Sequence, residues 1–263
     1  MCGPPKPSWR PSSRPLRNPP GSQRPKPLHK HVRACLKRDD AGATAPQTTE
    51  VFDWMAQENA QRNPHQDKPT VVLIDGQDSL WTAAWSAIPG DDVTEILDII
   101  HVSGYVWDAA NLLYLQGSSE ARWWAKEQLG RVLQGQVGAV IRDLKTQAKG
   151  RTLTAAQRKS LDGICTYFAN NSHRMAYDAY LAEGFPIATG VIEGACRCLV
   201  KDRMERSGMR WIVRGAQAML ALRSISFSGL WDDFMPFHIK RELNRLYGAG
   251  AANEEMGPMP LVA

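Results

Sequence analysis

The chain has 263 residues, 43% of them hydrophobic, enough for one large domain or two small ones with a real core. No stretch approaches the roughly 20 apolar residues of a membrane span, and the N-terminus has positive charge without an apolar h-region, so neither a membrane protein nor a secretory leader is expected. The net charge of +5 is uneven: residues 1–31 hold seven Lys/Arg and no acid, leaving the remainder close to neutral.

Residues 1–31 also hold nine of the 17 prolines. Proline lacks the donor N–H and fixes φ, so this segment is expected to be a disordered, basic tail. It either touches phosphates nonspecifically or has no role. Next, His31–Lys37 alternates apolar and polar residues as a short strand does, and Asp39-Asp40-Ala41-Gly42 reads as a turn. A helix is predicted over 49–62, capped by Thr49, with Val51, Trp54 and Met55 as its apolar stripe.

Thr70–Ile74 is a continuous apolar run between Pro69 and Gly76, the pattern of a buried central strand covered on both faces. Asp75 follows at its C-terminal end. A helix over 78–87 and a second buried strand over 94–100 complete a βαβ unit, with His101 just beyond. From about Gly104 to Leu181 helical patterns dominate: 104–116, 118–134, 135–149, 154–170 and 172–183. A loop over 184–190 leads into a helix from Val191 to about Arg206. Further helices are expected over 214–224 and 230–246, then a frayed Gly/Ala/Pro-rich end.

Five cysteines occur, Cys2, Cys35, Cys165, Cys196 and Cys198, without any C-x-x-C pair. They read as reduced thiols, with Cys196 expected to be buried, and zinc-finger spacing is absent.

Three constellations carry candidate chemistry. Asp75, before Gly76, sits where α/β folds place ligand-binding carboxylates, outside the carboxyl ends of strands; Asp-Gly is equally an ordinary turn. Asp98 and His101 can orient a metal ligand or contact a phosphate; the plainer alternative is a surface Asp beside a core or helix-capping His. In the helix after Gly190, Glu193, Arg197 and Lys201 are spaced four apart and share one face, with Ile192, Ala195, Cys196 and Leu199 opposite. From Arg197 to Arg214 there are six Lys/Arg against two acids, including Arg206 and Arg210. An acid heading a basic face suits a metal-binding carboxylate whose neighbours hold phosphates; a salt-bridged, solvated helix is the alternative. A strand-end Asp and a helical Glu suit phosphoryl transfer with divalent ions.

At these residues the sequence resembles bacterial insertion-sequence transposases of the ISKra type, within the DDE group. The likeness runs from about Val32 to Tyr247 and is densest in VVLIDGQDSLW (71–81), EILDIIHVSGYVWDAA (95–110), the block from Asn170 to Trp211, and GAQAMLALR (215–223). The resemblance implies an α/β fold: an RNase H-like core interrupted by an all-helical insertion. On that scheme 1–31 is the tail, 32–103 the first part of the core, 104–183 the insertion, 184–248 the C-terminal helical part and 249–263 a disordered end. It implies that Asp75 and Glu193 are the second and third catalytic acids, holding Mg²⁺ or Mn²⁺. Asp98 and His101 become an accessory D-x-x-H element, and Arg197, Lys201, Arg206 and Arg210 become DNA contacts. The implied partners are transposon ends, target DNA and further copies of the chain, in the cytoplasm or on the nucleoid. The family's first catalytic Asp and its N-terminal DNA-binding region have no match here, so a truncated core is expected. The alternative expectation is a catalytically inactive fragment that binds DNA or multimerises.

Overall fold

Two neighbouring parallel strands organise the molecule, and helices cover both of their faces. A computed structural model describes residues 27–36 and 47–248, apart from 89, 91 and 207. The chain divides into two units, Met1–Lys30 and His31–Ala263. Residues 27–30 of the first have neither helix nor strand. Residues 1–26 of the expected tail, the turn at Asp39–Gly42 and the end over 249–263 lie outside the described residues.

In the second unit, β1 (Thr70–Ile74) pairs in parallel with β2 (Val93–Leu97), Thr70 facing Val93 and Ile74 facing Leu97. The helix between them, α2, spans Asp78–Ala87, as expected. Val72 and Ile74 of β1 face one cluster and Val71 and Leu73 the other, so both faces are covered as expected, but only Val72 is buried and the strand is not central. With β2 as its one neighbour among the described residues, β1 is an edge strand and its other side chains are half-buried. Val72 joins Phe52, Trp81 and Ala84 in a small core with α1 (Gln47–Arg62) and α2. The stripe expected on α1 shifts accordingly: Phe52 is its buried residue, Met55 is exposed, and the helix starts two residues before Thr49.

The second strand is shorter than its apolar run. β2 ends at Leu97, because Asp98 caps α3 (Ile99–Leu113) by accepting from the Ile100 N–H at 3.1 Å. The helix therefore begins at Ile99, not at 104, and the expected boundary at 103/104 falls inside it. Then α4 (Ser119–Leu133), α5 (Val137–Lys149), α6 (Ala155–Asn170), a short 3₁₀ turn (Ser172–Arg174) and α7 (Tyr177–Ala182) follow close to the predicted bounds. Their start signals are chemical: the Ser118 hydroxyl caps α4, and Thr154 with Gln157 forms a capping box on α6. These helices share one core with the sheet, in which Ile96 and Leu97 pack with Val102, Val106, Phe168 and Tyr177.

Beneath the sheet lies an ion pair that the sequence did not advertise. Arg174 is buried and its Nε donates to Glu95 Oε2 at 2.6 Å, while Nη1 donates to Asn171 Oδ1 at 3.0 Å. Its guanidinium stacks 4.1 Å from the Trp81 ring centre, with Trp85 one helical turn on at 5.4 Å. Trp85 Nε1 donates to the other Glu95 oxygen.

His31–Leu36 forms no strand, against expectation. Its backbone is held by side chains instead. The Val32 N–H donates to the Ser228 hydroxyl and the Leu36 N–H to Gln217 Oε1, both at 3.0 Å. An extended strap and a strand share the same alternation, and only the hydrogen-bond partners tell them apart.

The C-terminal third is helical but looser. α8 (Gly190–Ala195) passes into a π-helical segment (Cys196–Lys201) and a last turn, α9 (Asp202–Met204). α10 (Val213–Phe227) and α11 (Trp231–Tyr247) match the predicted helices, α11 with Pro236 inside its second turn. The opposing apolar stripe expected for 191–206 is not a core face: Leu199 alone of its four members is buried, Ile192 and Cys196 are exposed, and the expectation of a buried Cys196 is overturned.

Candidate functional site

Parallel register is what assembles the site. Because Ile74 pairs with Leu97, the next residues, Asp75 and Asp98, stand on adjacent strands at the carboxyl edge, where the Asp98 N–H donates to the Ile74 carbonyl at 2.9 Å. Neighbouring strands are about 4.8 Å apart, so these two acids are brought together by pairing alone.

Their environments diverge. Asp98 is fully buried and accepts four hydrogen bonds. The amides of Ile100 and Thr189 donate to Oδ1, both at 3.1 Å; the Thr189 hydroxyl donates to Oδ2 at 2.5 Å and His101 Nδ1 to the same oxygen at 3.0 Å. Burial pushes the Asp98 carboxyl up, but the bonds from Thr189, His101 and Ile100 outweigh it and hold the group below the usual carboxylate range. The plain alternative of a surface Asp is therefore wrong, although Asp98 does cap a helix. All its lone-pair positions are filled, so it is an orienting group and not an open ligand.

Asp75 is about one-third exposed. Its Oδ1 accepts from the Gln77 N–H at 3.1 Å, an ordinary Asx turn, and its Oδ2 lies 3.9 Å from His101 Nε2. The ionised Asp98 can only accept, so His101 must carry its proton on Nδ1. In the neutral ring this leaves the Nε2 lone pair facing the Asp75 carboxylate.

Three tyrosines from the helical region fix this edge. Tyr167 donates to the Asp75 carbonyl at 3.0 Å, Tyr177 to the Leu97 carbonyl at 2.8 Å and Tyr180 to the Glu95 carbonyl at 3.2 Å. Burial pushes all three phenols up, so they stay protonated donors. Gly76, at φ +88°, is required beneath Tyr167: a Cβ there would lie 2.5 Å from the phenol oxygen.

Thr189 connects the edge to Glu193. As the N-cap of α8 its hydroxyl would ordinarily serve its own helix; here it goes to Asp98. Its carbonyl accepts from the amides of Ile192 at 2.6 Å and Glu193 at 3.2 Å. Glu193 is thus one turn from a residue clasped to the strand ends. Its side chain is exposed and has no hydrogen-bond or ion-pair partner among the described residues.

Part of the basic run is not α-helical. Arg197 and Lys201 lie in the π segment, whose bonds close over five residues. Arg223 stabilises that segment by donating to the carbonyls of Leu199 and Cys198. Arg197, Lys201, Arg206 and Arg210 are all exposed. Arg206 pairs with Asp202 at 2.9 Å, and none of the four contacts Asp75, Asp98 or His101 among the described residues.

No three His, Cys, Asp or Glu side chains converge on one point suited to a metal among the described residues. Thr189, Tyr167 and Arg223 are the site residues that sequence reasoning missed. A threonine at a helix N-cap was the one available signal, and it would have pointed to capping. Compared with known proteins, the chain matches no protein-family model, no curated protein and no solved structure.

Proposed function

We propose that this chain acts on DNA strands as a DDE-type transposase, with an RNase H-like core carrying a helical insertion. One observation supports the reading above others: Asp75 stands at the carboxyl edge of a parallel sheet beside a buried acid, Asp98, that clasps the residue leading into the Glu193 helix. The first acid of the family's triad is unassigned in this chain.

Mg²⁺ usually keeps several waters and binds through one or two carboxylates plus substrate phosphates. Asp75, whose Oδ2 accepts no hydrogen bond among the described residues, and an exposed Glu193 fit that mode, and a three-residue cluster is not needed for it. They would hold Mg²⁺ or Mn²⁺, which supplies activation of an attacking hydroxyl and charge stabilisation on the phosphate. The protein's own part is positional. Asp98 fixes the His101 ring so that Nε2 faces Asp75, and Tyr167 fixes the backbone that carries Asp75. Arg197, Lys201, Arg206 and Arg210 meet DNA phosphates. A cytoplasmic, nucleoid-associated setting accompanies this reading; no helix among the described residues is long and apolar enough to cross a membrane.

A second reading, a non-catalytic DNA-binding fragment, is favoured by the lack of three converging metal-ligand side chains among the described residues. Supercoiled plasmid incubated with the chain and Mg²⁺ or Mn²⁺ separates the two. Nicking that is lost in both Asp75→Ala and Glu193→Ala, with unchanged thermal unfolding, is expected for the enzyme. Salt-sensitive binding without nicking supports the second reading. Nicking that survives Asp75→Ala sinks the site.

A further inference from the structure

α11 buries none of its side chains. Trp231, Met235, Ile239, Leu243 and Leu246 recur at intervals of four and three, which places them on one stripe of a helix. Ile239, Leu243 and Leu246 are each more than half exposed, at 52%, 51% and 60%. A stripe of this length in water is an interaction surface in want of a cover.

The charges of the same helix say what covers it. Asp232 and Asp233 occupy its first turn, while Lys240, Arg241 and Arg245 lie towards its end. The one acid in that second half, Glu242, is engaged within the helix by Arg245 at 2.7 Å and Arg241 at 3.5 Å. The helix is therefore acidic at its start and basic at its finish. Run antiparallel against an identical helix, each acidic start meets a basic finish, and the two helix dipoles also oppose. Run parallel, like charges meet.

The stripe has the matching symmetry. A two-fold axis at Ile239 sets Ile239 against its own copy, Met235 against Leu243, and Asp233 against Arg245. We propose that α11 pairs antiparallel with α11 of a second copy of this chain, forming a two-fold dimer. This pairing is independent of the reaction assigned above.

Sedimentation velocity of the full chain over a wide concentration range tests it. A reversible monomer–dimer equilibrium is expected. Ile239→Glu places two charges on the axis of each dimer and should weaken association roughly 100-fold or more, leaving the circular dichroism unchanged because the side chain is exposed. Orientation is read by disulfide trapping, with the unsubstituted chain as control for native thiols. Ile239→Cys should trap dimer, whereas Leu246→Cys should not, since two copies of residue 246 would lie about 21 Å apart along the axis. A chain that stays monomeric at every concentration overturns the proposal. So does a dimer indifferent to both Ile239→Glu and Leu243→Glu, or one trapped as readily through Leu246→Cys.

Discussion

Removing the Asp98 carboxylate should loosen the C-terminal third from the sheet. Asp98→Ala leaves four donors without their acceptor. His101 is 47% exposed and finds water, so its loss is discounted. The amides of Ile100 and Thr189 and the Thr189 hydroxyl remain, at about 1 kcal/mol each, or about 3 kcal/mol together. That is a large share of the roughly 5–15 kcal/mol typical of a folded domain. Asp98→Asn is the sharper control. Its amide oxygen can still accept from both backbone N–H groups, the Thr189 hydroxyl can turn to accept, and His101 can adopt its other tautomer. A loss of only about 1 kcal/mol is expected. Urea unfolding followed by tryptophan fluorescence measures both, with the slope unchanged if only stability moves. The acid limb adds a second readout. Because the folded Asp98 carboxyl sits below its ordinary value, its stabilisation is complete above pH ~4 and is lost as pH falls through the lowered folded value. Asp98→Asn should flatten that part of the profile. If Asp98→Ala costs no more than Asp98→Asn, the clasp on Thr189 is not what holds the segment.

Two further substitutions probe the supports of the site. Gly76→Ala combines a positive φ with a Cβ 2.5 Å from the Tyr167 oxygen and 2.8 Å from Leu97 Cδ1, and should cost about 2–4 kcal/mol in urea unfolding; adding Tyr167→Phe should recover part of it, and strict additivity would count against the close approach. Arg174→Ala leaves Glu95 half-buried without its partner and should cost about 3–5 kcal/mol. Arg174→Lys should restore less than half, since lysine cannot both stack on Trp81 and donate sideways; full rescue by lysine would refute the stacked geometry.

The elements most legible in sequence were those whose signal is local. β1 is one apolar run between breakers, and α4 and α6 start at Ser118 and Thr154, which cap them. Asp75 could be placed because a strand end follows from the same run. What escaped was set by partners far along the chain. Asp98 looked like an open acid because its strongest donor, Thr189, is 91 residues away. β2 looked three residues longer because Ile99 and Ile100 continue its hydrophobicity into the first turn of α3. The π segment escaped for another reason: four-residue spacing presumes α geometry, and nothing local in CRCLVK marks the change of pitch. Arg174 carried no local signal, although two tryptophans four apart on α2 are the kind of platform on which a guanidinium stacks.

The strap at His31–Leu36 has a consequence for how the chain reaches this state. Its two backbone anchors, Ser228 and Gln217, lie 196 and 181 residues downstream. A ribosome adds about 5–20 residues per second. The strap must therefore wait about 10–40 s, unbound, while the rest of its binding site is still being made. The sheet and the helices up to α7 close contacts with one another well before that. Docking of the strap is then a late, high-contact-order event, dependent on α10 having folded. Until it happens, the first residues of the second unit are the last to be secured.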